Sequence, residues 1–324
     1  MKLAAAVLPI AFALTVPALA FAAPAVVYDM GGKFDKSFNE AAYRGIEQWK
    51  KETGKPAIEF EIANESQREQ ALRRMAERGA TPIIAIGFAQ ASTVEKVAKE
   101  FPKLQFTIID GVAKLPNVQS VLFKEHEGSF LVGMIAELTS KTGKVGFVGG
   151  MDIPLIRKFQ CGYEQGVKYA NPKGEVFVNM VGTTGAAWND PARGGELARA
   201  QFAKGADVIF AAAGGTGIGV YQAAKDAKKF AIGVDSNQNH LQPGTMLTSM
   251  VKRVEVAVYE AAKNYKPGLV VLGLKEDAVD YALDQYNAKL ISPDVKKKVD
   301  QAKADIVAGK VKVADYMADP ACKY

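Results

Sequence analysis

From residue 25 onward the sequence alternates short apolar runs with longer stretches of helical period, and this rhythm restricts the fold more than any other feature. Ala25-Val26-Val27-Tyr28 reads as a strand. Phe38, Ala41, Ala42, Gly45, Ile46 and Trp49 then recur at helical spacing, which predicts an amphipathic helix over 37–52. A strand at 57–62, a helical face on Leu72, Met75, Ala76 and Gly79, a buried strand at Ile83–Ile86, a helix over 89–100 and a strand over 104–109 follow. The second half repeats the pattern, with strands near 144–148, 175–181, 207–212 and 230–234 and helices near 154–170, 190–204 and 217–228. Strands this short between helices this long build parallel sheets covered on both faces. The length of 324 residues fits two such domains. No Pro-, Ser- or Gly-rich linker separates them, so ordered crossings must join them, expected near Val118–Phe123 and Met246–Val251.

The N-terminus reads as an export signal. Lys2 is the only charge before Asp29, Leu3 to Val16 is an apolar run, and Ala20-Phe21-Ala22 fits a cleavage site, with Ala23 as the first mature residue. Residues 1–22 are therefore expected to be removed, and a freely diffusing periplasmic protein is expected, because no cysteine near the cleavage site offers a lipid attachment point. In the oxidising compartment Cys161 and Cys322 are expected to pair as one disulfide that pins the tail, with two unrelated thiols as the alternative.

Two His and two Cys leave little for a zinc site, an iron–sulfur cluster or histidine-rich catalysis, and no metal or cofactor is expected. The net charge is only +6, and the one basic run, Lys296-Lys297-Lys298, has no aromatic residues interleaved. It reads as a solvated helix face, and no nucleic-acid partner is expected. Gly214-Gly215-Thr216-Gly217-Ile218-Gly219 looks like a dinucleotide loop, but its last glycine comes one residue early. Its plainer reading is a helix N-terminus whose backbone N–H groups face a cleft.

In open parallel sheets ligands bind beyond the carboxyl ends of the strands. Three predicted strands end in aspartate at that position: Asp29, Asp110 and Asp235. Each is an ordinary turn or cap residue taken singly. Together they predict a shared acceptor site for a ligand rich in N–H and O–H donors, one that repels phosphates and carboxylates. In the loop after the first strand, Asp35 or Ser37 can cap the helix, with Glu40 completing a capping box. Phe38 and Asn39 then sit at the cleft edge. Trp188, just before the Asn189-Asp190-Pro191 helix start, offers a stacking surface for a flat ring. Lys252, after the second crossing strand, stands within reach of the aspartates.

At these residues the chain resembles the basic membrane protein family, the type I periplasmic binding proteins of ABC importers related to purine nucleoside receptors. The matching pieces include Gly31-Gly32-x-x-Asp35-x-Ser37-Phe38-Asn39-Glu40, Ile109-Asp110-Gly111, Gly146-Phe147-Val148-Gly149-Gly150, Ala213-Gly214-Gly215-Thr216-Gly217, Gly233-Val234-Asp235 and Thr248-Ser249-x-x-Lys252. The resemblance implies two Rossmann-like lobes joined by a multi-strand hinge. It divides the chain into an N-terminal lobe, 23–121 plus about 250–272, and a C-terminal lobe, 122–249 plus about 273–324. It also implies a monomer that delivers its ligand to an ABC permease. A purine would lie between Phe38 and Trp188, with Asp110 and Asn39 at the base edge. Asp29, Asp235, Lys252 and the Gly214-Gly215 backbone would hold a ribose if there is one. A sugar receptor of the same architecture and an exported nucleoside hydrolase are the rival readings; nothing in the residues themselves supports an enzyme.

Overall fold

The computed structural model describes residues 22–322; the expected leader, apart from Ala22, lies outside the described residues. In chain order the elements are β1 (Ala25–Tyr28), α1 (Phe38–Thr53), β2 (Ile58–Glu61), α2 (Gln67–Glu77), β3 (Ile83–Ile86), α3 (Ala91–Glu100), β4 (Phe106–Ile109), β5 (Val118–Phe123), α4 (Glu125–Thr139), β6 (Lys144–Met151), α5 (Pro154–Ala170), β7 (Glu175–Gly182), α6 (Pro191–Ala203), β8 (Val208–Ala212), α7 (Gly217–Asp226), β9 (Phe230–Asp235), β10 (Met246–Lys252), α8 (Val254–Asn264), β11 (Gly268–Leu272), β12 (Val279–Tyr281) and α9 (Pro293–Val307).

The strands form two six-stranded sheets, in the orders β11-β5-β4-β3-β1-β2 and β12-β10-β9-β8-β6-β7. The first is parallel throughout. In the second, only β12 runs antiparallel, against β10. The fold is thus an α/β pair of lobes with parallel-dominated sheets, as the rhythm of the sequence predicts. The central strands β1, β3, β4 and β8 are buried along their whole length, which explains why they read as continuous apolar runs with no alternation. The chain passes between the sheets after β5, after β10 and again between β11 and β12.

Helix α4 carries no helical stripe in the sequence because nearly every residue from Glu125 to Glu137 is buried. It packs on α5, α9, β10 and β12. Asp35, not Ser37, caps α1: its carboxylate accepts from the backbone N–H groups of Ser37, Asn39 and Glu40 at 2.8, 3.0 and 3.1 Å. Glu40 closes the turn by accepting from Lys36 N. Cys161, in α5, is joined to Cys322 by a disulfide with the Cα atoms 5.9 Å apart. Gln165, one turn further along α5, exchanges two hydrogen bonds with the backbone of Ala314, so the tail lies along this helix.

Candidate functional site

The carboxyl ends of the two sheets face each other across a cavity with about 570 Å³ of empty space, mouth included. Hydrogen bonds between the lobes close it on one side. Ser37, freed from capping, donates to Asp235 Oδ2 at 2.8 Å. Ser236 Oγ donates to the Ser37 carbonyl and Gln238 Nε2 to the Lys36 carbonyl.

Asp29, Phe38, Asn39, Asp110, Trp188, Gly214, Asp235 and Lys252 all line this cavity. Gly215 does not. The short 3-10 turn Gly214–Thr216 tucks it behind Trp188, where a Cβ would lie 3.3 Å from the Trp188 carbonyl oxygen, so the expected Gly214-Gly215 contact reduces to Gly214. Sequence reasoning missed an apolar wall from the start of α5, formed by Leu155, Ile156 and Phe159. Phe88 and Val234 were missed as well. Their apolar spacing in the sequence is that of ordinary core, so only the fold distinguishes them.

Each aspartate is held differently. Asp29 sits over Gly87, where a Cβ would approach its Oδ2 to 2.4 Å; only a residue without a side chain, here at φ +101°, leaves room for the carboxylate. Arg68 reaches Asp29 from behind at 3.5 Å. Asp110 and Asp235 leave their strands in the left-handed region, at φ 65° and 62°, a conformation that aspartate tolerates and that recurs at binding sites. Burial pushes the carboxyl groups of Asp110 and Asp235 up to about 6, against the opposing pull of Lys252. Burial raises Asp29 as well and takes Asp35 to about 6.

Lys252 Nζ donates to Asp110 Oδ2 at 2.5 Å and lies 3.0 Å from Glu125 Oε1. Phe38 and Phe123 place their rings 5.0 Å from the same ammonium. Burial draws the Lys252 ammonium down, but Asp110, Glu125 and Asp235 outweigh it and push it above its ordinary range. Asp110 Oδ1 is buried and has no hydrogen-bond partner among the described residues. Such an orphan acceptor is costly in a finished interior and natural where a ligand supplies the donor.

Asn39 lines the cavity, yet its amide is committed to the β1 loop. Its Oδ1 accepts from Asp29 N and its Nδ2 donates to the carbonyls of Asp29 and Gly32. Trp188, at the end of the 3-10 turn Gly185–Trp188, lays its ring on Gly150, where a Cβ would come within 2.3 Å. On the other side its Cβ meets the Gly31 position of the opposite lobe.

Two covalently continuous lobes closing acceptors and aromatics around one small cavity define a two-lobe protein that encloses a small solute between its sheets. A solved ABC solute-binding protein from Aeropyrum pernix superposes with a TM-score of 0.83 at 29% identity, over 90% of this chain and 92% of that one. The family model for PnrA-like ABC transporter substrate-binding proteins, Bmp, matches residues 22–315, and the chain belongs to that family. A CD4+ T-cell-stimulating antigen of Listeria monocytogenes is 36% identical, over 90% of this chain and 87% of its own length. The ABC transporter nucleoside-binding protein BmpA of Lactococcus lactis is 32% identical, over 89% and 88%. The family is one of ABC transporter substrate-binding proteins, and membership implies a small-molecule ligand and a permease partner.

The expected localisation is corrected by the same comparison. A relative in Pyrococcus horikoshii, 33% identical over 79% of this chain, is a lipoprotein, and one in Borreliella afzelii, 32% identical over 88%, is basic membrane protein A. These relatives' names point to a membrane-anchored lipoprotein and overturn the expectation of a freely diffusing, unanchored periplasmic form. The reading failed because it rested on one local feature, cysteine position near a cleavage site, within residues outside the described ones.

Proposed function

We propose that the protein binds a purine nucleoside or purine base in the interlobe cavity and presents it to an ABC permease. The observation that carries this reading is the unpaired Asp110 Oδ1 buried in a cavity that Phe38 and Trp188 also line. A purine offers ring faces to aromatic side chains and N–H donors to a carboxylate. Asp29 and Asp235 are the acceptors left for ribose hydroxyls. Asn39, with its amide bound to backbone, shapes the loop that carries Phe38 rather than reading the base edge. The nucleoside-binding relative in Lactococcus lactis supports the same ligand class. The carboxylates disfavour the 5′-phosphates of the same nucleosides.

A sugar receptor of this architecture is the alternative, and solved relatives of the fold include an arabinose-binding protein at 12% identity, which shows the fold alone. The apolar wall of Leu155, Ile156 and Phe159 favours a flat aromatic ligand over a polyol. Mass spectrometry of the small molecule released when the purified protein is denatured tests the proposal. A purine base or nucleoside supports it, and a free sugar contradicts it.

A further inference from the structure

Behind the cavity lies a row of alternating buried charges whose rear members touch no cavity surface. Lys252 bridges Asp110 and Glu125, and Lys158 Nζ lies 3.0 Å from the other Glu125 oxygen, Oε2. Lys158 also donates to the Phe123 carbonyl at 2.7 Å and stands 3.7 Å from Asp315 on the tail. Glu125 is 1% exposed and Lys158 6%, and neither lines the cavity. The five residues come from the end of β4, the end of β10, the first residue of α4, the middle of α5 and the segment after α9.

Buried ion pairs of this kind are seldom the most stable solution; apolar residues of similar volume serve as well or better. The arrangement has a different consequence at Asp110. A lysine ammonium is a compact point donor, and a second carboxylate beside it draws it to one side of the first. Here Glu125 shares the ammonium, and Asp110 keeps Oδ1 without a partner. We propose that Glu125, neutralised from behind by Lys158, is a positioning residue: it holds Lys252 to one oxygen of Asp110 so that the other stays open to a ligand donor. The proposal rests on the reading of the cavity as the solute site.

The charged groups facing Asp110 are Lys252, Glu125 and Asp235. Those facing Glu125 are Lys252 and Lys158, whose attraction outweighs burial and holds its carboxyl below the ordinary range. His126, the next residue, is buried beside Lys158, Asp315, Glu127 and Glu125, and burial holds its imidazole below the ordinary range. Removing the Glu125 charge gives Asp110 undivided possession of Lys252.

Two variants test this. Glu125→Gln removes the charge, and the double variant Glu125→Gln/Lys158→Met removes one charge of each sign, which serves if the single variant does not fold. The carboxyl carbon of Asp110, assigned against Asp110→Asn, is titrated by NMR in the ligand-free protein. Inosine affinity is measured by calorimetry from acid to neutral pH. The Asp110 midpoint should move about one pH unit to the acid side, less in the double variant. Inosine affinity at neutral pH should fall about tenfold, and its acid limb should move with the Asp110 midpoint. An unmoved Asp110 midpoint overturns the proposal, whether or not affinity falls, and so does a moved midpoint with inosine affinity unchanged from a wild type that binds it. If the wild type binds no inosine while the midpoint moves as expected, the hold of Glu125 on Asp110 stands and the purine reading of the cavity fails.

Discussion

Lys252 and Asp110 meet at 2.5 Å although they are 142 residues apart and close the ends of strands in different sheets. Both are almost completely buried, with side chains 1% and 4% exposed. This contact ties the two lobes together at the back of the cavity and sets the charge that a ligand meets.

Removing one partner leaves the other charged and unsatisfied. Lys252→Met should cost about 3–5 kcal/mol, because Asp110 is then buried without its cation while Glu125 keeps only Lys158. Adding Asp110→Asn should recover part of that loss, which thermal or denaturant unfolding of the four members of the cycle measures directly. Additive losses would show that the pair is not coupled.

The ring of Trp188 rests on Gly150 and flanks Gly214, with one part packed against the core and another facing the cavity. Trp188→Ala should weaken purine binding roughly tenfold to a hundredfold, at about 1–3 kcal/mol per stacked face, while the unliganded melting temperature stays near wild type. Trp188→Phe should retain most of the affinity. Gly150→Ala should weaken binding as well, by pushing the ring off its seat. A Trp188→Ala protein that binds normally but melts early would make the ring a packing element.

Acid should act in opposite directions on binding and on stability. Asp110 and Asp235 titrate at about 6 in the folded protein, so their ionised, accepting form is lost as pH falls through that value, and purine affinity should drop with it. In the unfolded chain the same groups stay ionised to about pH 4. Between these values the folded state binds the extra protons, so the unliganded protein should become more stable from pH 7 towards pH 5. Asp35, at about 6, and Asp29 add in the same sense; His126, held below its ordinary value, opposes with a single proton. Further acidification should reverse the trend as Glu125 and Glu59, both held low in the folded state, take up protons. Melting temperature against pH, with and without nucleoside, displays both signs. A parallel decline of the two curves from neutral pH would contradict the assignment.

The sequence made the fold legible because its signal is local: whole buried strands such as Ile83–Ile86 and helices with one apolar face such as α1 announce themselves by period. Helix α4 did not, because burial on all sides erases the period, and β12 did not, because three residues hold too little pattern. The strand-end aspartates were legible as positions in a topology. The exchange by which Asp35 caps α1 and Ser37 bridges to Asp235 was only half legible, since either residue has the chemistry to cap. Glu125 and Lys158 were invisible: nothing near them in the chain announces that they stand behind Lys252.

The most direct test is calorimetric titration of protein freed of ligand by unfolding and refolding, with inosine, guanosine, adenine, ribose and inosine 5′-monophosphate compared at one neutral pH. A purine nucleoside or base should bind at one site per chain, at least a hundredfold more tightly than ribose or the monophosphate by the order of magnitude expected from about 3 kcal/mol of stacking and carboxylate contact. Tighter binding of ribose or of the monophosphate than of every purine nucleoside and base would contradict the account.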